Sequence, residues 1–126
     1  MFCEEIDLGE GAPRKVASGL RSFYTADQLL GKLVVVLSNL KERNLAGFPS
    51  HGMVLCGDQD GKIVICEPPE NAVVGELLKC EISGEPKPDE EIKTGKKNLP
   101  WDKVMPDLKV EVKITSHYFC FYYLIT

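Results

Sequence analysis

One short segment of the sequence gathers side chains that suit binding to a nucleic-acid backbone. Lys41 and Arg43 offer positive charge to phosphates, and such contacts give an affinity that falls as salt rises. Asn39 and Ser50 can form directional hydrogen bonds, and Met53 offers a soft apolar contact to a base or ribose. The alternative interpretation is a solvated polar loop with Met53 in the core, because Met often fills gaps in a core.

Two further groups of cations accompany this segment. The larger is opposed locally by Asp102, and it comprises Lys93, Lys96, Lys97 and Lys103. A weaker group comprises Arg14, Lys15 and Arg21. Runs of charge of this kind are usually solvated surface. A secondary phosphate contact through Lys96 and Lys97 is the competing interpretation.

The charge balance limits what a nucleic-acid surface can be. The 126 residues carry a formal net charge of -4, whereas generic binders of polyanions usually carry a basic excess. Residues 1–57 hold as many basic as acidic side chains, so the acidic excess lies in residues 58–126. Any such surface is therefore expected to be a local patch. Hydrophobic content of 44% and charged content of 27% are typical of a globular domain.

Catalytic and metal sites are not indicated. No phosphate loop, nucleophile elbow or pair of catalytic acids is present. His51 has no carboxylate partner nearby in sequence, and His117 with Cys120 forms only half of a metal-binding pattern. The five cysteines show no C-x-x-C spacing, which favours a reducing compartment, with the cytoplasm as the default. No apolar run is long enough for a membrane span, and the oligomeric state is not indicated.

Short strands dominate the predicted elements. Alternation and β-branched runs predict strands over residues 1–8, 14–17, 33–37, 52–56, 62–66 and 76–82. A capping box from Thr25 to Gln28 predicts a helix of about two turns that Gly31 ends. Residues 39–49 are expected to form a polar loop, and Asp60-Gly61 to lie in the turn of a hairpin. Trp101 to Met105 is expected to form a helical turn.

The order of these elements predicts a mainly all-β fold, an OB-fold β-barrel with one short helix. An OB-fold places its helix between the third and fourth strands, so residues 1–8 would be the second strand. The first strand is then expected upstream of Met1, and the barrel formed by this sequence is expected to lack that strand. Residues 1–83 are expected to form this barrel, and residues 84–126 an appended, partial β domain rich in loops.

Five segments together carry a family resemblance: residues 4–10, 14–20, 34–41, 50–56, and Gly84-Glu85-Pro86 followed by Lys96-Lys97 and Trp101. In this order they resemble the tRNA-binding domain of endothelial-monocyte-activating polypeptide II and of the carboxy-terminal appendages of some methionyl- and tyrosyl-tRNA synthetases. The resemblance covers roughly residues 2–109. It depends most on Asn39-Leu40-Lys41 followed by Ser50-x-Gly52-Met53.

The resemblance implies an OB-fold that binds structured tRNA with little sequence discrimination, without catalysis and without a cofactor. It implies Asn39, Lys41, Arg43, Ser50 and Met53 as RNA contacts, assisted by Lys96 and Lys97, and an aminoacyl-tRNA synthetase as a partner in translation. The apolar tail over residues 110–126 departs from the family's pattern. That tail and the acidic charge leave open an alternative function, a protein-interaction scaffold with little affinity for RNA.

Overall fold

The structure is a computed structural model that describes residues 1–77, 89–93, 100–107 and 123–125. Over these ranges its regular secondary structure is mainly strand, as predicted. The strands are β1 (Phe2–Asp7), β2 (Arg14–Ser18), β3 (Leu33–Val34), β4 (Val36–Leu37), β5 (Arg43–Leu45), β6 (Phe48–Ser50), β7 (Met53–Val54), β8 (Cys56–Gln59), β9 (Lys62–Ile65) and β10 (Tyr123–Ile125). The helices are α1 (Ala26–Leu29) and α2 (Pro100–Val104), and 3₁₀ turns span Leu20–Ser22 and Met105–Asp107.

The largest sheet described has four strands in the order β2-β1-β10-β3, with every neighbouring pair antiparallel. Three antiparallel pairs accompany it: β4 with β7, β5 with β6, and β8 with β9. The β8–β9 pair confirms the predicted hairpin, whose turn holds Asp60 and Gly61 at positive φ. Asp58 accepts the Gly61 N–H at 2.9 Å and so closes that turn.

The predicted strand over residues 33–37 is confirmed, and it divides at its centre. Val34, Val35 and Val36 are all at most 1% exposed, so the strand is buried on both faces. Val35 belongs to neither β3 nor β4, and its carbonyl accepts the Leu55 N–H at 2.8 Å. Leu55 likewise separates β7 from β8, and its carbonyl accepts the Cys66 N–H at 3.1 Å. Val35 and Leu55, which interrupt the two strands, are therefore hydrogen-bonded to each other. Each strand pairs with one neighbour before its interruption and with another neighbour after it.

The helix α1 is shorter than the sequence predicted. It begins after Thr25, whose N–H donates to Gln28 Oε1 at 2.9 Å, as a capping box requires. It ends after one turn because Leu29 packs into the core and Leu30 already has an extended backbone, with its side chain 67% exposed. Gly31, at a φ of +75°, then redirects the chain into β3.

The predictions beyond residue 77 are tested only in part. The helical turn around Trp101 is confirmed as α2. Most of the strand predicted over residues 76–82 lies outside the described residues, and Glu76 and Leu77 are not in a strand. Of the apolar tail, only the three residues of β10 are described.

Glu4 is an acidic residue within the core. The side chains of Glu4, Ile6 and Leu8 alternate inward along β1 and beyond it, and Glu4 is only 5% exposed. Ser18 Oγ donates to Glu4 Oε1 at 2.6 Å, and Glu4 Oε2 has no hydrogen-bond partner among the described residues. Burial raises the pKa of the Glu4 carboxyl above its ordinary value, and the Ser18 hydrogen bond opposes this shift less strongly.

We expect Glu4→Gln to stabilise the protein at pH 7, by about 1 kcal/mol, because the amide removes a buried charge. A raised pKa in the folded state means that the folded protein binds the proton more tightly. Glu4 therefore reduces stability as pH rises from 4.5 through its folded pKa. Urea unfolding of both proteins at pH 4 and pH 7 measures this, and the difference should disappear at the lower pH. A Glu4→Gln protein less stable than the parent at pH 7 would contradict it.

Candidate nucleic-acid interface

The segment predicted as a polar loop over residues 39–49 contains a hairpin, which corrects that prediction. β5 and β6 pair with Arg43 opposite Ser50, and Ala46 and Gly47 form a two-residue turn with φ values of 51° and 87°. Asn44 Oδ1 accepts the Gly47 N–H at 2.8 Å. The Asp58-to-Gly61 turn has the same pattern of an Asx followed by Gly three residues later. That spacing was the signal by which the sequence could have revealed this hairpin.

Arg14 braces the hairpin from β2. Its guanidinium donates to the Ser38 carbonyl, before the hairpin, and to the His51 carbonyl at 3.4 Å, after it. It also forms an ion pair with Glu10, in which Nε donates to Oε2 at 3.2 Å. The sequence grouped Arg14 with surface cations, but here its charge is used to hold two loop ends together. Sequence alone gives no signal for this role, because both acceptors are main-chain carbonyls of distant residues.

Ser50 also joins the hairpin to β2. Its hydroxyl is buried, 5% exposed for the residue, and accepts the Ala17 N–H at 2.9 Å. The next residue, His51, donates its N–H to the Lys15 carbonyl at 2.9 Å. Ser50, one of the candidate contacts, therefore has its hydroxyl in an internal hydrogen bond. Its observed contribution is to the position of β6.

Residues 89–93 anchor the other end of the segment. Asn39 Nδ2 donates to the Asp89 carbonyl at 2.8 Å, and the Asn39 carbonyl accepts the Ile92 N–H at 2.7 Å. The Lys41 N–H donates to the Ile92 carbonyl at 2.8 Å, which completes a parallel bridge between Leu40 and Ile92. Leu40 is buried at this bridge. The side chain of Asn39 is thus half-buried and engaged on the side facing residues 89–93.

The bridge brings the two predicted basic groups together. Lys41 and Lys93 each follow a bridge partner directly, and both are exposed. The two lysines therefore adjoin the same bridge, on neighbouring segments of the chain.

The seven predicted contacts differ in their surroundings. Lys41 and Arg43 are exposed, the first before β5 and the second at its start. Met53 is half-buried in β7, where it pairs with Leu37. Asn39 is half-buried and Ser50 is buried, and the side chain of each forms an internal hydrogen bond. Lys96 and Lys97 lie outside the described residues.

Comparison with known proteins decides the family. A family model described as "Putative tRNA binding domain" matches residues 1–77. The chain belongs to this tRNA-binding domain family. The match covers β1 to β9 and the whole braced hairpin, so the family resemblance predicted from the sequence is confirmed.

Relatives include proteins named for aminoacyl-tRNA synthesis. The chain is 38% identical over 121 residues to the cytoplasmic tyrosine–tRNA ligase of Danio rerio, covering 94% of this chain and 22% of that protein. It is 36% identical over 119 residues to the aminoacyl tRNA synthase complex-interacting multifunctional protein 1 of Cricetulus griseus, covering 94% of this chain and 32% of that protein. The chain therefore spans between a fifth and a third of the length of these relatives.

A solved structure supports the fold. The carboxy-terminal domain of Plasmodium vivax p43 superposes with a TM-score of 0.82 at 34% identity, over 98% of this chain and 84% of that one. The prediction of a small, mainly β tRNA-binding domain is confirmed by this likeness. In the described part of the chain, no helix combines the length and apolar character that crossing a membrane requires.

The turn of the hairpin generates one prediction. Ala46 has a left-handed backbone conformation that favours Gly, so Ala46→Gly should raise stability by about 0.5–1 kcal/mol. The matched control is Ala12→Gly, at an exposed residue without positive φ, which should be neutral or slightly destabilising. Urea unfolding measures both variants. Equal effects of the two substitutions would rule out strain at residue 46.

The buried hydroxyl of Ser50 generates a second prediction about stability. Ser50→Ala should lower stability by about 1–3 kcal/mol, because the Ala17 N–H loses its acceptor. Ser22→Ala, at an exposed position, should change stability by less than about 0.5 kcal/mol. Both are measured by thermal and urea unfolding. If Ser50→Ala were as stable as Ser22→Ala, the structural role assigned to this hydroxyl would be wrong.

Proposed function

We propose that this chain is a non-catalytic tRNA-binding module that works with an aminoacyl-tRNA synthetase in the cytoplasm. The membership of residues 1–77 in the tRNA-binding domain family carries this proposal. The names of the relatives support the partner and the compartment, since they include cytoplasmic tRNA ligases and a synthase complex-interacting protein. No part of the proposed role needs a cofactor or a metal.

The braced hairpin supports binding to phosphates at Lys41 and Arg43. Both cations are exposed on a segment whose two ends are held by Arg14, at Ser38 and at His51. Residues 89–93 also hold the start of this segment. A fixed backbone loses less conformational entropy on binding than a mobile loop does, so each phosphate contact contributes more to affinity. Arg14 therefore has a positioning role in this proposal.

The remaining candidates divide by their exposure. Asn39 and Ser50 already use side-chain groups in internal hydrogen bonds, so we assign them mainly to positioning the segment. Met53 is half-buried next to it and offers a soft apolar surface to a ribose or base. Lys96 and Lys97 follow Lys93 closely along the chain. Because Lys93 and Lys41 adjoin the same bridge between Leu40 and Ile92, these lysines are proposed as secondary phosphate contacts.

This arrangement favours recognition of shape over sequence. A local patch of cations on an acidic protein binds where several phosphates converge, as they do in a folded RNA, and is repelled elsewhere. An affinity that depends steeply on salt should follow. A protein-interaction scaffold with little affinity for RNA is the second candidate function. The name of the Cricetulus griseus relative, a complex-interacting protein, is the observation that favours it.

The decisive experiment is a titration with total tRNA at two salt concentrations, using the parent chain and Lys41→Glu/Arg43→Glu. We expect the double variant to bind roughly tenfold or more weakly, and to show a shallower dependence on salt, because two phosphate contacts are lost. Circular dichroism should show an unchanged fold, since both side chains are exposed.

The matched control is Arg21→Glu/Lys62→Glu, which makes the same change in net charge at two exposed residues away from the hairpin. It should retain most of the affinity. Equal losses in the two double variants would mean that net charge, and not this site, determines binding. A folded parent chain that binds no tRNA at low salt would favour the scaffold instead.

A further inference from the structure

The short strand β10 lies between two strands that come from early in the sequence. It pairs with β1, with Ile6 opposite Ile125 and Asp7 opposite Leu124. On its other side it pairs with β3, with Val34 opposite Tyr123 and Leu33 opposite Leu124. Residues 66–122 separate β10 from β9, the preceding strand of the described chain.

β1 and β3 are joined only through β10 in the four-stranded sheet. Their paired residues include Ile6 and Val34, both of which are fully buried core residues. If β10 left this position, main-chain N–H and C=O groups of both strands would lose partners next to the core. Unpaired buried main-chain groups are unfavourable, so an empty slot would open this side of the sheet to water.

The neighbours of β10 can be compared with the strands that the sequence predicted. Sequence analysis assigned β1 to the second strand of an OB-fold, and residues 33–37 to the fourth. β10 lies between these two strands and is antiparallel to both. The family match ends at residue 77, so β10 lies outside the matched residues.

We propose that the slot between β1 and β3 is a strand-acceptor site, and that the chain's own residues 123–125 fill it as the donor strand. Recognition is by main-chain hydrogen bonds to the two edges, so an extended segment of good strand formers satisfies it. Tyr123-Leu124-Ile125 has that composition. The apolar tail is then part of the sheet, and an isolated peptide of the same sequence can take its place.

The first test compares Leu124→Pro with Leu124→Val in the full chain by amide hydrogen exchange. Proline removes an N–H and restricts φ, which blocks pairing at the centre of β10, whereas valine retains strand propensity. We expect at least tenfold faster exchange over Ile6–Asp7 and Leu33–Val34 in the proline variant only. Exchange in the β8–β9 hairpin should be unchanged in both. Equal protection of β1 and β3 in the two variants would overturn the proposal.

Addition of a synthetic peptide with the sequence of residues 118–126 to the Leu124→Pro protein should restore that protection. A peptide with Leu124→Pro should not restore it. Restoration by both peptides, or by neither, would count against strand donation.

A second variant does not depend on how well the proline protein folds. Asp7→Cys/Leu124→Cys places thiols on directly opposite residues of β1 and β10, which is within the range that a disulfide spans. On oxidation at low protein concentration we expect a bond between the introduced thiols within one chain, identified by peptide mapping. The control Ala12→Cys/Leu124→Cys, off the register, should form little. A bond only between two chains, or no excess over the control, would overturn the proposal. None of these readouts involves tRNA.

Discussion

Three consecutive valines, Val34 to Val36, are buried almost completely, and the arrangement of the other strands follows from them. A strand with side chains buried on both faces needs cover on both sides. The main-chain partners of this strand also change at Val35, so that β3 pairs with β10 and β4 pairs with β7. The matching break at Leu55, bonded to Val35, lets the facing strand change partners at the same level. One strand thereby belongs to two sheets, as expected in a small, strongly curved β domain.

The candidate interface depends on this core without being part of it. The core fixes β2, and β2 fixes the hairpin through Arg14, through the Ser50–Ala17 hydrogen bond and through the backbone bond from His51 to Lys15. Cations are thus of two kinds in this protein. Arg14 is only partly exposed and binds carbonyls and Glu10, whereas Lys41 and Arg43 have exposed side chains. A net charge of -4 is compatible with binding to a polyanion because the relevant charges are few and local.

β10 gives the apolar tail a structural interpretation. In the sequence, this tail departs from the family's pattern, and an interface with another protein was a reasonable explanation for it. In the structure, three of its residues pair with β1 and β3, two strands from early in the chain. The pattern of apolar and aromatic residues is the same for a strand that pairs within the chain and for one that pairs with a partner. Only the strands that it pairs with distinguish pairing within the chain from pairing with a partner.

The sequence by itself determined strands β1 to β4, β7 and β9, the β8–β9 hairpin, the capped start of α1 and the family. These follow from local signals: alternation, β-branched runs, turn residues and the ordered set of motifs. The hairpin at Ala46 was missed because its strands are short and their alternation is weak, although Asn44 and Gly47 carried the turn signal. Tertiary structure alone decided that Arg14 holds the two ends of the hairpin segment, that Ser50 is buried, that Lys41 and Lys93 adjoin one bridge, and that β10 pairs with β1. Each of these depends on main-chain groups of residues far apart in sequence, and main-chain groups are the same for every residue type, so no pattern of side chains can encode them.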